Sequence, residues 1–417
     1  MKKLPFLLFF LICFAAQSRT SPALTMRTQT LAVNGYTVQL QVPEGMRVDF
    51  LASLSGPRFL ARGPGNELLV GSRGADIFRL KWPYTKPEIL ATLTGRNHSV
   101  AYRNGRIFVA ETGGLYSAPY SGPLSTLRAG DFSLVATLPS QTNGHWSRTI
   151  IVGPDRQLYI GIGISSNCAD EYLDNSYPFE RRRGGVYLLD ETGAAPVLTP
   201  YSSGLRNPIG LAFHPTTGVL YATNAGPDNL GFDLPPEVFA ALSRGSFHGM
   251  PWFQYYNGAF RSGECATSVP PRPAANASPP AVTFDARSTP QGITFVTNPD
   301  FAPEFTNNAL VAIHGSWAIP PGGNAGSRRP PKIVMVRFSG NTPTGVTDIV
   351  TGFQRADGSR FARPCGMVMG PDGNLYFTSD AGEITGLFRL TGVNKPFIPG
   401  IAVSSVNSLL LRDSPPQ

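Results

Sequence analysis

One short pattern recurs six times along this chain and constrains its fold more than any other feature. Each copy contains a loop bearing Pro or His, an apolar segment, a tight turn and a second apolar segment. The apolar segments run or alternate over about five to six residues, as β-strands do. The turns GPGN, RNG, GPDR, HPTTG and GPDG have the composition of tight turns. The copies begin at Pro57, His98, Ser147, Pro208, Pro290 and Pro364.

Six copies of a sheet-forming unit predict an all-β chain folded as a six-bladed β-propeller. The 45 Gly and 39 Pro of the 417 residues agree with many short strands joined by turns. Because the glycines have no three-residue period, a collagen helix is excluded. Two β-sandwich domains are the alternative architecture. A third strand is expected after four of the copies, at 76–80, 185–190, 332–338 and 386–390.

The repeats also define the expected boundaries. We predict one propeller domain over 26–395 and a C-terminal tail at 396–417, with the segment 26–52 helping to close the ring. Three long stretches between repeats are rich in Pro, Gly, Ser and Asn, which is typical of irregular surface loops. These stretches are 165–184, 228–286 and 318–331.

The N-terminus predicts the destination of the protein. Residues 1–18 resemble a secretory signal peptide, with Lys2 and Lys3 ahead of an apolar run that ends in small residues. We therefore expect an exported protein, periplasmic or extracellular. No later segment reaches about 18 apolar residues, which argues against stable membrane insertion. The formal net charge of +8 is mild and comes without a nucleic-acid-binding motif.

Three cysteines remain once the leader is removed, namely Cys168, Cys265 and Cys365. An odd number allows at most one intrachain disulfide and leaves one thiol. Cys265 could pair with Cys365 if the long stretch around Cys265 folds back. The chain has no CxxC pair, which argues against a zinc site.

The repeats place polar residues at one opening of the propeller. The inner strands surround the central channel, so equivalent positions from all blades converge there. The positions just before the inner strands are mostly polar: Arg58, Asn97, His98, His145, Ser147, Arg148, Arg206, Asn207, Gln291 and Arg363. The ends of the second strands should add Glu111, Asn224 to Asp228, His314 and Asp380. We expect a functional funnel here and only turns at the opposite opening, with His214 and His248 in structural roles.

The residue types in this funnel favour particular chemistry. Arg206 and Arg363 favour an anionic ligand, because a planar guanidinium binds a carboxylate in bidentate fashion. His145 is a candidate general base, since the pKa of an imidazole lies near neutral pH. The run from Gly226 through Pro227 to Asp228 could offer oxygens to calcium, although the same composition is common in ordinary turns.

Several segments resemble the soluble sugar dehydrogenases that use pyrroloquinoline quinone. NGHWSRTIIVGPDRQLYIGIG at 143–163 and SGLRNPIGLAFHPTTGVLYATNAGPD at 203–228 are similar to that family. DLPPE at 233–237, ALVAIHGSW at 309–317 and RPCGMVMGPDGNLYFTSDAG at 363–382 fit its sorbosone dehydrogenase-like branch. The resemblance covers about 40 to 395 and implies a six-bladed propeller, in agreement with the repeat count.

The resemblance also implies roles for individual residues. His145 matches the base that removes a proton from the substrate hydroxyl, while a hydride passes to the quinone. Arg206 matches an arginine over the cofactor that would also act in catalysis by stabilising developing negative charge. Asn207 matches its neighbour in the cofactor pocket, and Arg363 matches an arginine that pairs with a cofactor carboxylate. The carbonyls of Gly226 and Pro227 match calcium ligands. We extend these assignments to Asp228 for the metal, to Arg148 and His314 for the cofactor, and to His98 and Gln291 for the substrate.

The chain departs from the best-known sugar dehydrogenases at three places. Those enzymes carry an Asp shortly after the strand matching IGIG, where this chain has Ile164. Asp170 or Glu171 would then have to orient the base. The neighbourhood of an expected lysine holds His314 or Gly315, and Ile209 stands where some relatives have Gln.

The sequence therefore predicts an oxidoreductase that oxidises an aldose or a related sugar or polyol. Its cofactors are expected to be pyrroloquinoline quinone and calcium, and its electrons to leave to an acceptor protein or quinone. The run ERRR at 180–183 could dock an acidic carrier or be a solvated loop. The alternative functions are a calcium-dependent lactonase and a non-catalytic propeller that binds carbohydrate or protein.

Overall fold

A computed structural model describes residues 24–140, 144–263 and 265–393, and these residues form a six-bladed β-propeller with no α-helix among them. The predicted signal peptide and C-terminal tail lie outside the described residues. Three strands precede the first repeat. They are β1 (Met26–Val33), β2 (Tyr36–Pro43) and β3 (Arg47–Ser53).

Each blade is an antiparallel sheet whose first strand lies at the centre of the ring. Blade 1 contains β4 (Pro57–Arg62), β5 (Leu68–Ser72), β6 (Asp76–Leu80) and β7 (Pro87–Thr92). Blade 2 contains β8 (Ser99–Arg103), β9 (Arg106–Ala110), β10 (Gly114–Pro119) and β11 (Ser133–Thr137). Blade 3 contains β12 (Arg148–Val152), β13 (Leu158–Ile162), β14 (Gly185–Asp190) and β15 (Val197–Ser203).

The later blades carry the longer insertions. Blade 4 contains β16 (Pro208–Phe213), β17 (Leu220–Asn224), β18 (Glu237–Leu242) and its outer strand β22 (Val282–Phe284). Between β18 and β22 the chain forms three strands outside this blade, namely β19 (Ser246–Phe247), β20 (Phe253–Tyr256) and β21 (Ala259–Ser262). Blade 5 contains β23 (Pro290–Phe295), β24 (Ala309–Ile313), β25 (Lys332–Ser339) and β26 (Thr342–Val350). Blade 6 contains β27 (Pro364–Met369), β28 (Leu375–Ser379) and β29 (Gly386–Thr391).

Five single turns of 3-10 helix connect these strands, at Ala129–Asp131, Phe179–Arg181, Ala274–Asn276, Pro303–Phe305 and Ala325–Ser327. The predicted third strands coincide with β6, β14, β25 and β29. The outermost strand of blade 6 is β3, which pairs antiparallel with β29. The segment 26–52 thus closes the ring as predicted, because the N-terminal part of the chain completes the last blade.

The prediction of an irregular loop over 228–286 was wrong. This stretch contains β18 and β22, the third and fourth strands of blade 4, together with the β20–β21 hairpin. It also contributes β19, which pairs parallel with β15 of blade 3. The high Pro and Gly content reflects the turns between these short strands.

Adjacent blades approach closely around the channel, and two residue types make this possible. A side chain at Gly210 would place its Cβ 2.0 Å from the Gln291 carbonyl oxygen, and one at Gly366 would place it 2.3 Å from the Arg58 carbonyl oxygen. Beside these glycines, Thr223 donates a hydrogen bond to the Gln291 carbonyl, and Thr378 donates one to the Arg58 carbonyl, both at 2.6 Å. Glycine and threonine together therefore join blade 4 to blade 5 and blade 6 to blade 1.

One disulfide joins Cys168 to Cys265, with 4.5 Å between the Cα atoms. Cys365 is a buried free thiol. The suggested pairing of Cys265 with Cys365 was wrong, because Cys365 lies on the inner strand β27 while the 228–286 stretch packs against the 165–184 loop. The count of one disulfide and one thiol is as expected.

Candidate active site

Side chains from five blades meet at one mouth of the channel, as the repeat predicted. Arg58 lies at their centre. Its guanidinium donates to Asp380 Oδ2 at 2.6 Å, Gln291 Oε1 at 3.2 Å, His98 Nδ1 at 3.3 Å and Ser147 Oγ at 3.4 Å. These contacts fix the mouth as one buried polar network.

His314 belongs to the same network through a 2.6 Å contact between its Nε2 and Asp380 Oδ1. Burial alone would raise the pKa of Asp380, but His314 and Arg58 hold it far below its usual range. The pKa of His314 is lowered to about 4, first by burial and then by Arg363. Asp380 is therefore ionised and His314 neutral at physiological pH.

His145 lies on the loop before β12, at the same mouth. Its Nδ1 lies 2.6 Å from the Ile164 carbonyl oxygen. Since a carbonyl only accepts, Nδ1 carries the proton and Nε2 is left with a free lone pair. Burial, and then the charge of Arg206, lower the pKa of His145 to about 3. The imidazole is thus neutral over the physiological range and can accept a proton at Nε2.

The orienting group of His145 differs from the expectation. Asp170 pairs with Arg181, and Glu171 accepts from the Ser165 backbone N–H at 2.6 Å. The Ile164 carbonyl takes the place of the expected carboxylate, and the sequence gives no signal for it because a backbone group carries no residue identity.

Arg206 and Asn207 approach His145 from blade 4. Arg206 Nε donates to the Asn167 carbonyl at 2.8 Å, and its Nη2 donates to Asn167 Oδ1 at 2.9 Å. A Cβ added at Gly163 would meet both Asn207 Oδ1 and His145 Cβ, at 2.5 and 2.7 Å. Asn207 Oδ1 is buried without a hydrogen-bond partner among the described residues. The hydrogen-bonding capacity of this acceptor is therefore unused within the described residues.

Arg363 borders the mouth from the blade 6 side. Its Nε and Nη2 donate to the carbonyls of His314 and Gly315, at 2.9 and 2.8 Å. Burial and then the neighbouring charge of Arg360 lower the pKa of Arg363 to about 9. Buried guanidiniums crowded in this way favour a negatively charged partner.

Two tryptophans flank these arginines, and neither was among the predicted site residues. Trp317 is 66 % exposed, and its ring lies 4.5 Å from the Arg363 guanidinium and 5.4 Å from that of Arg360. The Trp146 ring likewise lies 5.3 Å from the Arg58 guanidinium. Their presence in the GHWSR and HGSW segments was the available signal, since an aromatic face can stack on a planar ligand or a sugar ring.

Three further residues predicted to contact a ligand are buried below this mouth and bond to other parts of the protein. Arg148 has no solvent-exposed surface and donates to the carbonyls of Pro139, His145 and Ser147. His98 is likewise fully buried, and Gln291 is 4 % exposed and occupied by Arg58. Their hydrogen bonds support the His145 loop and Arg58, and their roles toward a ligand stay predictions.

Of the predicted calcium ligands Gly226, Pro227 and Asp228, the last two do not fit that ion. The Pro227 carbonyl accepts a hydrogen bond from the Arg287 guanidinium, which also pairs with Asp228 at 2.8 Å. A divalent cation on these oxygens would stand beside a fixed positive charge. No cluster of three or more His, Cys, Asp or Glu suited to a metal occurs in the described part of the chain.

Other side chains from the sequence analysis lie away from this mouth. His214 accepts from the backbone N–H groups of Thr216 and Thr217 in its turn. His248 packs in the 228–286 stretch and contacts Ser246. Within 180–183, Arg183 is fully buried and 3.7 Å from Glu171, so it is not part of a docking surface.

Comparison with known proteins adds to this geometry. Residues 126–318 match the family model described as Glucose / Sorbosone dehydrogenase, and residues 251–389 match the model described as TrAA12-like. The chain resembles the sugar dehydrogenases, as its motifs predicted. Quinoprotein glucose dehydrogenase B of Acinetobacter calcoaceticus is 25 % identical over 234 residues, which are 43 % of this chain and 48 % of that enzyme.

Solved structures of such proteins share the fold. The Trichoderma reesei Carbohydrate-Active Enzymes Family AA12 protein matches with a TM-score of 0.72 and 20 % identity, covering 88 % of this chain and all of that one. The pyrroloquinoline quinone domain of Coprinopsis cinerea pyranose dehydrogenase matches with a TM-score of 0.65 and 20 % identity, covering 85 % and 97 %. Within the described residues, no helix has the length and apolar character needed to cross a membrane.

Proposed function

We propose that this protein is an oxidoreductase that oxidises an aldose or a related sugar or polyol with pyrroloquinoline quinone as its cofactor. The observation that carries the proposal is an oriented His145 at the same mouth as the buried cation Arg206: the His145 Nδ1 lies 2.6 Å from the Ile164 carbonyl oxygen, and burial, then the charge of Arg206, lower the pKa of the imidazole and keep it neutral. The family match over 126–318 supports a sugar as the substrate class.

The mouth suits a flat polyanion. Arg206 and Arg363 would hold carboxylates of the quinone, and the buried Asn207 side chain would supply a polar contact. Trp317, whose face is open and flanked by arginines, offers a platform beside them. When bound, pyrroloquinoline quinone would supply the acceptor for the hydride removed from the sugar carbon, and that hydride carries both electrons of the oxidation.

The chain's own residues supply proton transfer and charge stabilisation. His145 Nε2 accepts the proton of the substrate hydroxyl as the hydride leaves the carbon that bears this hydroxyl. The Ile164 carbonyl holds the ring in the tautomer that leaves Nε2 free. Arg206 stabilises negative charge that develops next to the base. His314, fixed by Asp380, and Arg363 complete the opposite wall.

The disulfide supports export to an oxidising compartment, because disulfides persist in secreted and periplasmic proteins. There the electrons would pass to an acceptor protein or quinone. A second candidate, a non-catalytic propeller that binds an anionic carbohydrate, is favoured by one observation. A histidine whose pKa is about 3 is a weak base, so recognition without turnover would also use this mouth.

Reduction of the bound quinone by sugars tests the proposal. The purified protein is loaded with pyrroloquinoline quinone, and its absorption spectrum is followed while aldoses and polyols are added. We expect saturable uptake, reduction by at least one sugar, and loss of both in Arg206→Ala. Arg62→Ala is the matched control, because Arg62 is exposed at the far end of the same inner strand as Arg58.

The outcomes separate the candidates. Uptake followed by reduction supports the dehydrogenase. Sugar binding with no quinone uptake by the folded protein supports the non-catalytic propeller. Hydrolysis of lactones that depends on added calcium contradicts both.

A further inference from the structure

The segment 226–234 follows β17 at the edge of the mouth, and one buried side chain bonds to four of its residues. Arg287, only 6 % exposed, lies between β22 and β23 and points into this segment. Its Nη1 contacts the Pro227 carbonyl and lies 2.8 Å from Asp228 Oδ1. The other two nitrogens bond to the carbonyls of Gly231 and Leu234.

These four partners are oxygens of the kind that calcium prefers: backbone carbonyls and a carboxylate. All four surround one guanidinium, whose three nitrogens are all hydrogen-bonded. Because a guanidinium carries its donors in a fixed plane, it can satisfy several carbonyls at once where an ammonium would reach fewer.

The backbone is shaped to deliver this side chain. Arg287 has a φ of +67°, in the left-handed region that residues other than Gly, Asn and Asp seldom adopt. From the other side, the backbone N–H of Gly226 donates to the fully buried carboxyl of Glu237. The segment is thus anchored at its start by Glu237 and along its length by Arg287.

We infer that Arg287 is a built-in cation that binds the Pro227 and Asp228 oxygens expected to hold calcium, and that this protein orders the 226–234 segment without a metal ion. The positive charge is covalently part of the chain, so the segment is already held in its final shape in the absence of divalent ions. This inference concerns the chain itself and does not depend on the proposed enzymatic activity.

The test measures thermal unfolding of the metal-free protein, with calcium chloride added or with a chelator. For the wild-type protein we expect melting temperatures in the two conditions that agree within about 1 °C. Arg287→Met should lower the melting temperature by at least about 4 °C. Calcium should then restore part of that loss, because the vacated carbonyls and Asp228 become available. Arg287→Lys should lie between the two, and Arg62→Met should match the wild type.

Calorimetric titration of the wild-type protein with calcium keeps the test decisive if Arg287→Met fails to fold. Absence of binding up to millimolar calcium supports the inference. Micromolar binding that is lost in Asp228→Asn would overturn it, because a metal would then share these oxygens with the guanidinium. An Arg287→Met protein as stable as the wild type would overturn it as well.

Discussion

The two ends of the central channel are built from the same six inner strands and have opposite chemistry. At the mouth, the first residues of these strands and the loops before them contribute Arg58, His145 and Arg206. Two to three residues further along, the strands surround a largely apolar cavity of about 280 Å³. Its lining includes Leu60, Val100, Ile150, Leu211, Ile293 and Met367.

The same repeat therefore serves both to stabilise the ring and to position charged side chains. The apolar end packs adjacent blades against one another, and so it stabilises the ring. At the polar end, the rigid ring holds charged side chains in fixed positions where hydrogen bonds offset the cost of burying them. Substitutions at the mouth should therefore change ligand chemistry, whereas substitutions at the apolar end should change stability.

The largest expected effect is on turnover at the mouth. His145→Ala should lower turnover by at least about a hundredfold while quinone affinity stays close to that of the wild type, because only proton transfer is lost. Steady-state kinetics and a quinone titration on the same preparation measure the two quantities. Unchanged turnover would show that His145 is not the base.

At the apolar end we expect the reverse. Ile150→Ala should lower the free energy of unfolding by about 2–5 kcal/mol, because it removes buried methyl groups between blades. The side chain is 3 % exposed and packs in the core between blades 2 and 3. Denaturant unfolding measures the loss, and quinone affinity should be unchanged. A loss of affinity without a loss of stability would break the distinction between the two ends.

The neutral histidines predict acid sensitivity. The pKa of His248, in the 228–286 stretch, is lowered by burial to about 4, compared with 6.5 for an ordinary histidine. Between these values the unfolded chain binds a proton that the native protein does not, so stability falls as the pH is lowered through this range. His248 should contribute about 2 kcal/mol of the fall in unfolding free energy between pH 7 and pH 5.

Denaturant titrations at the two pH values, with His248→Gln as the variant, check this contribution. The remaining fall in the variant is assigned to the mouth, where burial also lowers the pKa of His145 and His314. A variant whose stability changes with pH as steeply as that of the wild type would contradict the assignment to His248.

The smallest expected effect is at the exposed rim. Trp317→Ala should weaken quinone or sugar binding about two- to fivefold, which corresponds to one exposed cation–π or stacking contact. Unfolding free energy should change by less than about 0.5 kcal/mol, since the side chain is 66 % exposed. Trp82→Ala, at another exposed tryptophan, is the control. A larger loss of stability would show that Trp317 stabilises the folded protein and is not only a ligand contact.

The fold was accessible from the sequence because its information is local and repeated. Short apolar strands separated by tight turns specify each blade, and the six copies of this unit specify the ring. The gathering of Arg58, His98, His314 and Asp380 followed from the same repeat. The orientation of each side chain did not, since a residue before an inner strand can face the opening or, like Arg148, turn beneath it.

The features that the sequence did not predict come from interactions between distant segments. The partner of Cys265 depends on how two insertions pack, and nothing near either cysteine in the sequence encodes that. Arg287 is one of many loop arginines until the chain brings it to Pro227 and Asp228. The GPD run alone supports both a metal site and an ordinary turn, and only the neighbouring charge decides between them.

Quenching of tryptophan fluorescence by pyrroloquinoline quinone tests the central claim most directly, because Trp146 and Trp317 flank the arginines of the mouth. We expect saturable quenching in the wild type, an affinity at least about tenfold weaker in Arg363→Ala and in Arg206→Ala, and no change in Arg62→Ala. Equal affinities in the wild type and in both mouth variants would contradict it.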